Sequence, residues 1–194
     1  MAPERRDPVI LDNCTFLNLY ASGRLDAIAA ALGLSLIVEE RVRAEALYLF
    51  RGGDGPGADE RVAVDCAVPV AAGYLAVATL AGVEEATFRR WAALVDDGEA
   101  ATIAVAIHRG FAVGTDDGRA IRYLGQMAPG TRHLSTLAIL RAWVDRAGLP
   151  GAEIREVLRA VCQRGHFHFP RRDPLRSWAT ALLGEPLQLP PGRR

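Results

Sequence analysis

The chain has 194 residues, half of them hydrophobic, and no formal net charge at neutral pH. That is enough for one domain with a sizeable core, and it excludes a disordered chain and a protein that coats nucleic acid through bulk charge. Every basic side chain is Arg, and the absence of Lys excludes a Walker A phosphate loop, a pyridoxal Schiff base and a protein-kinase site, each of which needs one.

Taken in order, Val9-Ile10-Leu11 is an apolar run entered through Pro8 and ended by Asp12 and Asn13, which predicts a short strand. Phe16, Leu17, Leu19 and Tyr20 recur at helical spacing up to Ser22-Gly23. Leu25, Ile28, Ala29 and Leu32 do the same before Gly33 stops them. Residues 34–38 read as a buried strand. Val42, Ala46, Leu49 and Phe50 then make the apolar face of a predicted helix that carries Glu45. The Gly/Pro/Asp-rich run from Arg51 to Glu60 breaks that pattern and opens a loop excursion, residues 51–73. Residues 61–70 and 74–80 are both strand candidates, the second the better one.

A helix is predicted from Glu84 to Val95, a turn at Asp96-Asp97-Gly98, a helix from Glu99 to Ile107 and a strand from Phe111 to Val113. The last third reads as helical. Ser135 or Thr136 caps a helix to Ala147, and further helices run from Ala152 to Gln163 and from Asp173 to Leu183, ahead of a frayed tail at 190–194. Strand–helix alternation followed by helices predicts a single α/β domain over residues 1–194, with a mostly parallel sheet flanked by helices. Cys14, Cys66 and Cys162 have no paired spacing, no secretory leader stands out and no apolar run is long enough to span a membrane. A cytoplasmic protein with reduced thiols is expected.

Four segments set a carboxylate at the end of an apolar stretch: Leu11-Asp12, Ala44-Glu45, Gly98-Glu99 and Thr115-Asp116-Asp117. In a parallel sheet the functional crevice lies at the carboxyl ends of the strands, where Asp12 and Asp116/Asp117 are expected. Converging carboxylates repel one another unless cations sit between them. Hard oxygen clusters suit Mg²⁺ or Mn²⁺, and such a site fits metal-assisted attack of water on a phosphodiester.

These pieces together resemble the PIN-domain family, which includes the VapC-type toxin ribonucleases. The likeness rests on Asp12 followed by Asn13-Cys14-Thr15-Phe16-Leu17-Asn18-Leu19, then Val42-Arg43-Ala44-Glu45-Ala46, Gly98-Glu99-Ala100-Ala101 and Thr115-Asp116-Asp117-Gly118-Arg119-Ala120. It implies a three-layer α/β/α sandwich with a central parallel sheet, and a ribonuclease using Mg²⁺ or Mn²⁺. It further implies an acidic quartet of Asp12, Glu45, Glu99 and Asp117, with Asp116 as helper or alternative. A toxin–antitoxin pairing, an antitoxin-like protein partner and a homodimer follow from the same likeness. In that reading Asp12, Glu99 and Asp117 hold the metal, Glu45 holds a second ion or orients its waters, and Arg119 and Arg122 contact RNA.

Two positions depart from the family pattern. Glu99 stands where the toxins often carry Asp, and Cys14 where they carry Ser or Thr. The alternative is therefore a PIN-like RNA- or protein-binding module with weak or no cleavage. A phosphatase of the haloacid-dehalogenase type needs a second Asp where Cys14 sits. Elsewhere, His166-Phe167-His168-Phe169 alternates as a half-buried edge strand would, and as a metal pair it lacks a third ligand nearby. Arg155, Arg159, Arg164, Arg171, Arg172 and Arg176 form either a solvated face or the wall of a nucleic-acid groove.

Overall fold

A computed structural model of the chain describes residues 6–184 apart from residues 46 and 54, so Ala46 and the tail at 190–194 lie outside the described residues. The chain runs through β1 (Asp7–Leu11), α1 (Asn13–Ala21), α2 (Leu25–Leu32), β2 (Leu34–Glu39), α3 (Glu40–Ala44), β3 (Tyr48–Phe50), β4 (Arg61–Ala63), α4 (Ala67–Ala71) and β5 (Leu75–Ala78). It continues through α5 (Gly82–Ala92), α6 (Asp97–Arg109), β6 (Ala112–Gly114), α7 (Gly118–Met127), β7 (His133–Leu134), α8 (Thr136–Ala147), α9 (Gly151–Gly165) and α10 (Arg176–Leu183).

Five strands form one sheet in the order β5-β2-β1-β6-β7, and every neighbouring pair is parallel. Strand side chains alternate between faces, and the core divides accordingly. Val9 and Leu11 join a cluster with Phe16, Leu140 and Leu158 from α1, α8 and α9, while Ile10 joins Trp91, Ile103 and Leu124 from α5, α6 and α7. The sheet is thus buried on both faces, as parallel sheets require.

The order of connections fixes where a site can form. From β1 the chain steps outward to β2 and β5, then returns to the far side of β1 for β6 and β7. The strand order reverses between β1 and β6, and the crevice of an open α/β sheet opens at such a point, beyond the strand carboxyl ends. Leu11 pairs with Val38 on one side and Gly114 on the other, so Asp12 and Thr115 leave the sheet side by side. A Cβ at Gly114 would come 2.5 Å from Leu11 Cδ2 and 3.3 Å from Thr15 Cγ2, both on fully buried residues. Glycine lets β1, β6 and α1 close together directly under that crevice.

Several expectations need correction. Residues 42–50 are not one helix. Helix α3 ends at Ala44, Glu45 is its extended C-cap, and β3 follows, paired antiparallel with β4. Leu47 and Leu49 are buried while Tyr48 and Phe50 are half-buried, a strand period that the helical spacing of Val42, Leu49 and Phe50 conceals. Of the two alternative strand candidates in the following stretch the second forms as β5, while of 61–70 only Arg61–Ala63 is strand and Ala67–Ala71 is helix α4. β4 pairs outside the central sheet and β5 lies at its edge. Within 51–73 the chain makes β4 and α4, the Arg51 and Glu60 side chains pair at 2.6 Å, and Cys66 enters the core.

Asp96 is not a turn residue but the N-cap of α6, accepting from Glu99 N–H at 2.8 Å. The 166–169 segment is irregular. His166 caps α9 in the left-handed region (φ 52°) and stacks on Phe50, rings 3.4 Å apart. Among the described residues, no helix is long and apolar enough to cross a membrane.

Candidate functional site

Asp12 leaves β1 and caps α1. It is 3% exposed and accepts from Thr15 N–H at 2.6 Å. Burial lifts its carboxyl to about 7 and Asp116 adds repulsion, offset by hydrogen bonds from the Thr115 hydroxyl and the Thr15 N–H. Thr115 and Asp116 leave β6 alongside it. Asp117 then caps α7, its Oδ1 accepting from Arg119 N–H and Ala120 N–H, both at 2.7 Å. The caps fix both carboxylates at helix starts, where the backbone dipoles favour negative charge.

Glu99 reaches the same place from the first turn of α6. Its carboxyl is pushed up to about 8, by partial burial first and then by Asp96, Asp117 and Asp12. Asp12 and Asp117 both act on Glu99, although the three come from elements far apart in sequence. A hollow of about 420 Å³ is lined by Asp12, Glu99, Asp116 and Asp117 together with Cys14 and Asn18. Its far wall is the 165–168 turn and Pro170, which brings His166 and His168 to the rim. Gly165 allows this closure, since a Cβ there would sit 2.9 Å from Asn18 Oδ1.

Asp116 is held differently. Thr136 donates to it from both its N–H, at 2.9 Å, and its hydroxyl, while Asn18 Nδ2 donates at 3.4 Å. Burial still raises its carboxyl, against the hydrogen bonds of Thr136. Saturated in this way, Asp116 braces the β6 end against α1 and α8.

Glu45 stands apart. It is exposed, accepts from Asn13 Nδ2, and does not line the hollow. Its carboxyl is raised by partial burial and by Asp96, and its Oε1 would lie 3.2 Å from a Cβ placed on Gly98. It therefore flanks the first turn of α6 at the same edge of the sheet. Among the described residues no three His, Cys, Asp or Glu side chains already form a set that could hold an ion. What the hollow offers is a set of crowded carboxyl groups with no Arg in its lining.

The roles of Asp96 as a cap and of Thr115, Asn18, Thr136 and the 165–170 turn in the site escaped the sequence reading. Asp96 carried a usable signal, because Asp three residues before Glu at a helix start is a capping pattern. Arg119 and Arg122 are exposed on α7 and line a second recess beside the hollow. Comparison with protein-family models, with curated proteins and with solved structures gives no match.

Proposed function

We propose that the chain is a metal-dependent ribonuclease of PIN-like type, with Mg²⁺ or Mn²⁺ as its cofactor. The observation that supports this best is the convergence of Asp12, Glu99 and Asp117 on one hollow at the sheet's switch point. Burial there, and then repulsion, raises the carboxyls of Asp12 and Glu99 to about 7 and about 8. Such a cluster costs stability unless a cation fills it, and all-oxygen donors suit a hard one.

In this reading Asp12, Glu99 and Asp117 hold the metal. When bound, the ion supplies a Lewis acid for the phosphodiester and lowers the pKa of water at the site. The protein's own contribution is positional. The caps of α1 and α7 aim Asp12 and Asp117, each through one oxygen held by backbone N–H groups. Asp116 is a positioning residue, since Thr136 and Asn18 occupy its oxygens. Glu45 and Asp96 add negative potential beside α6, drawing cations toward the hollow. The toxin role, an antitoxin-like partner, a homodimer and a cytoplasmic setting rest on the family resemblance and the plain reading of the sequence.

The test is cleavage of a labelled RNA by purified protein in Mg²⁺ or Mn²⁺ against EDTA, with Glu99→Gln run alongside. Cleavage that needs metal and falls about a hundredfold or more in Glu99→Gln is the expected result. RNA binding without cleavage would favour the binding module.

A further inference from the structure

The end of α9 lines the acidic hollow, yet it is held from outside that hollow. On one side Arg164 donates to the Ala21 carbonyl of α1 at 3.1 Å. On another, Gly52 packs on Arg164, where a Cβ would lie 2.8 Å from Cγ, and Gly53 N–H donates to Gln163 Oε1 at 3.4 Å. Phe167 is buried in the core. His166 sits between these fixings. Its backbone is left-handed (φ 52°), and among the described residues it is the one non-glycine with a positive φ. Glycine takes that conformation at no steric cost, whereas a side chain is strained there. The His166 ring lies flat on Phe50 of β3, with centroids 3.4 Å apart and planes 4° from parallel.

Hydrolysis of a phosphodiester adds water across a P–O bond and gives a phosphomonoester and an alcohol. Negative charge builds on the oxygens around phosphorus as the bond exchanges, so hydrogen-bond donors placed there in advance speed the reaction. Ionised carboxylates are acceptors only, and no Arg lines the hollow. The Asn18 amide donates to Asp116 and Thr136 at 3.4 and 3.2 Å. His168 Nδ1 donates back to the His166 carbonyl oxygen at 3.1 Å. The His166 ring is placed differently, because what fixes it is an aromatic face and a backbone turn rather than a group of the hollow. Imidazole carries one N–H donor even when neutral. Phe50 covers one face of the ring and restricts its swing, so that donor is held before any substrate arrives.

We infer that His166 is a further catalytic residue, its ring N–H donating to a non-bridging oxygen of the phosphodiester in the hollow, and that Phe50 is its positioning residue. The inference rests on the nuclease reading, to which it adds a donor that the acidic set does not supply.

The test is cleavage of a labelled RNA by the full chain in Mg²⁺, with and without added imidazole. His166→Gly suits it, because glycine fits the left-handed backbone and leaves the place beside Phe50 open to a free imidazole. Its kcat should fall about a hundredfold at little-changed KM, as for one lost donor to a developing charge. Added imidazole should recover part of that loss and leave wild type unaffected. Mn²⁺ uptake and melting temperature should stay close to wild type, since the carboxyl groups and the fixings of the turn are untouched. His166→Asn, which also tolerates that backbone, should show the same loss. Phe50→Leu should cost about tenfold in kcat, and nothing further in the His166→Gly background, as for two groups acting through one contact. Wild-type kcat in His166→Gly and His166→Asn, a loss in His166→Gly that imidazole leaves unrestored, or a Phe50→Leu effect that adds in full would overturn the inference and leave the nuclease reading standing. Wild type that cleaves no RNA in Mg²⁺ would remove both.

Discussion

Asp12→Asn should make the metal-free protein more stable while lowering RNA cleavage by about a thousandfold. The two effects have one cause. Asp12 is buried, sits against Asp116, and repels Glu99 across the hollow. Asn keeps an oxygen to accept from Thr15 N–H, so the cap of α1 survives while the charge is lost. The gain in unfolding free energy near pH 8 should be on the order of 1–3 kcal/mol, given about 1.4 kcal/mol per unit of pKa shift. Thermal melts in EDTA, with cleavage rates in Mg²⁺, check both halves. A variant that melts below wild type and keeps its activity would mean that Asp12 is a structural cap and nothing more.

The stability of the metal-free protein should fall as pH rises from about 5 to about 8, then level off. Asp12 and Glu99 have ordinary values of 3.8 and 4.5 but titrate near 7 and 8 in the fold. In that window the native state binds more protons than the unfolded chain, so raising the pH favours unfolding. Glu45 and Asp116, also raised, act in the same direction. Glu84 is lowered by its hydrogen bonds to Arg109 and acts oppositely, but only in more acid solution, below the window. The loss should be roughly 2 kcal/mol, well short of the full shifts because Glu99 is partly exposed and screened.

Divalent cation should reverse this trend, because it binds the deprotonated carboxylates and its gain grows with pH. At a hundred times its dissociation constant the gain is about 2.7 kcal/mol. Melting temperatures across pH 5 to 9, with and without Mg²⁺, decide the matter. A metal-free curve that rises toward pH 8, and is indifferent to Mg²⁺, would show that the cluster is not strained.

Much of this frame is legible in the residues themselves. Asp12 and Asp116-Asp117 follow short apolar runs flanked by helices, and in a parallel sheet that spacing forces them to one edge. Glu99 is legible because it stands in the first turn of a largely buried helix. Glu45 is not, since the apolar positions around it fit a helix and a strand equally well. Pairing of β3 with β4, a tertiary event, decides between them. β7 is only a two-residue strand, too short for any period to reveal. Arg171 and Arg172 are indistinguishable in sequence from their C-terminal neighbours. Only the turn after α9, set by left-handed His166 and the closeness of Gly165 to Asn18, turns them toward α7.

The most direct measurement is Mn²⁺ uptake near pH 8, followed by loss of the free-ion electron paramagnetic resonance signal. Wild type should take up Mn²⁺, and the Asp12→Asn/Glu99→Gln double variant, while folded, should lose that uptake. No uptake by wild type, or the same uptake by both proteins, would contradict a metal site built on Asp12, Glu99 and Asp117.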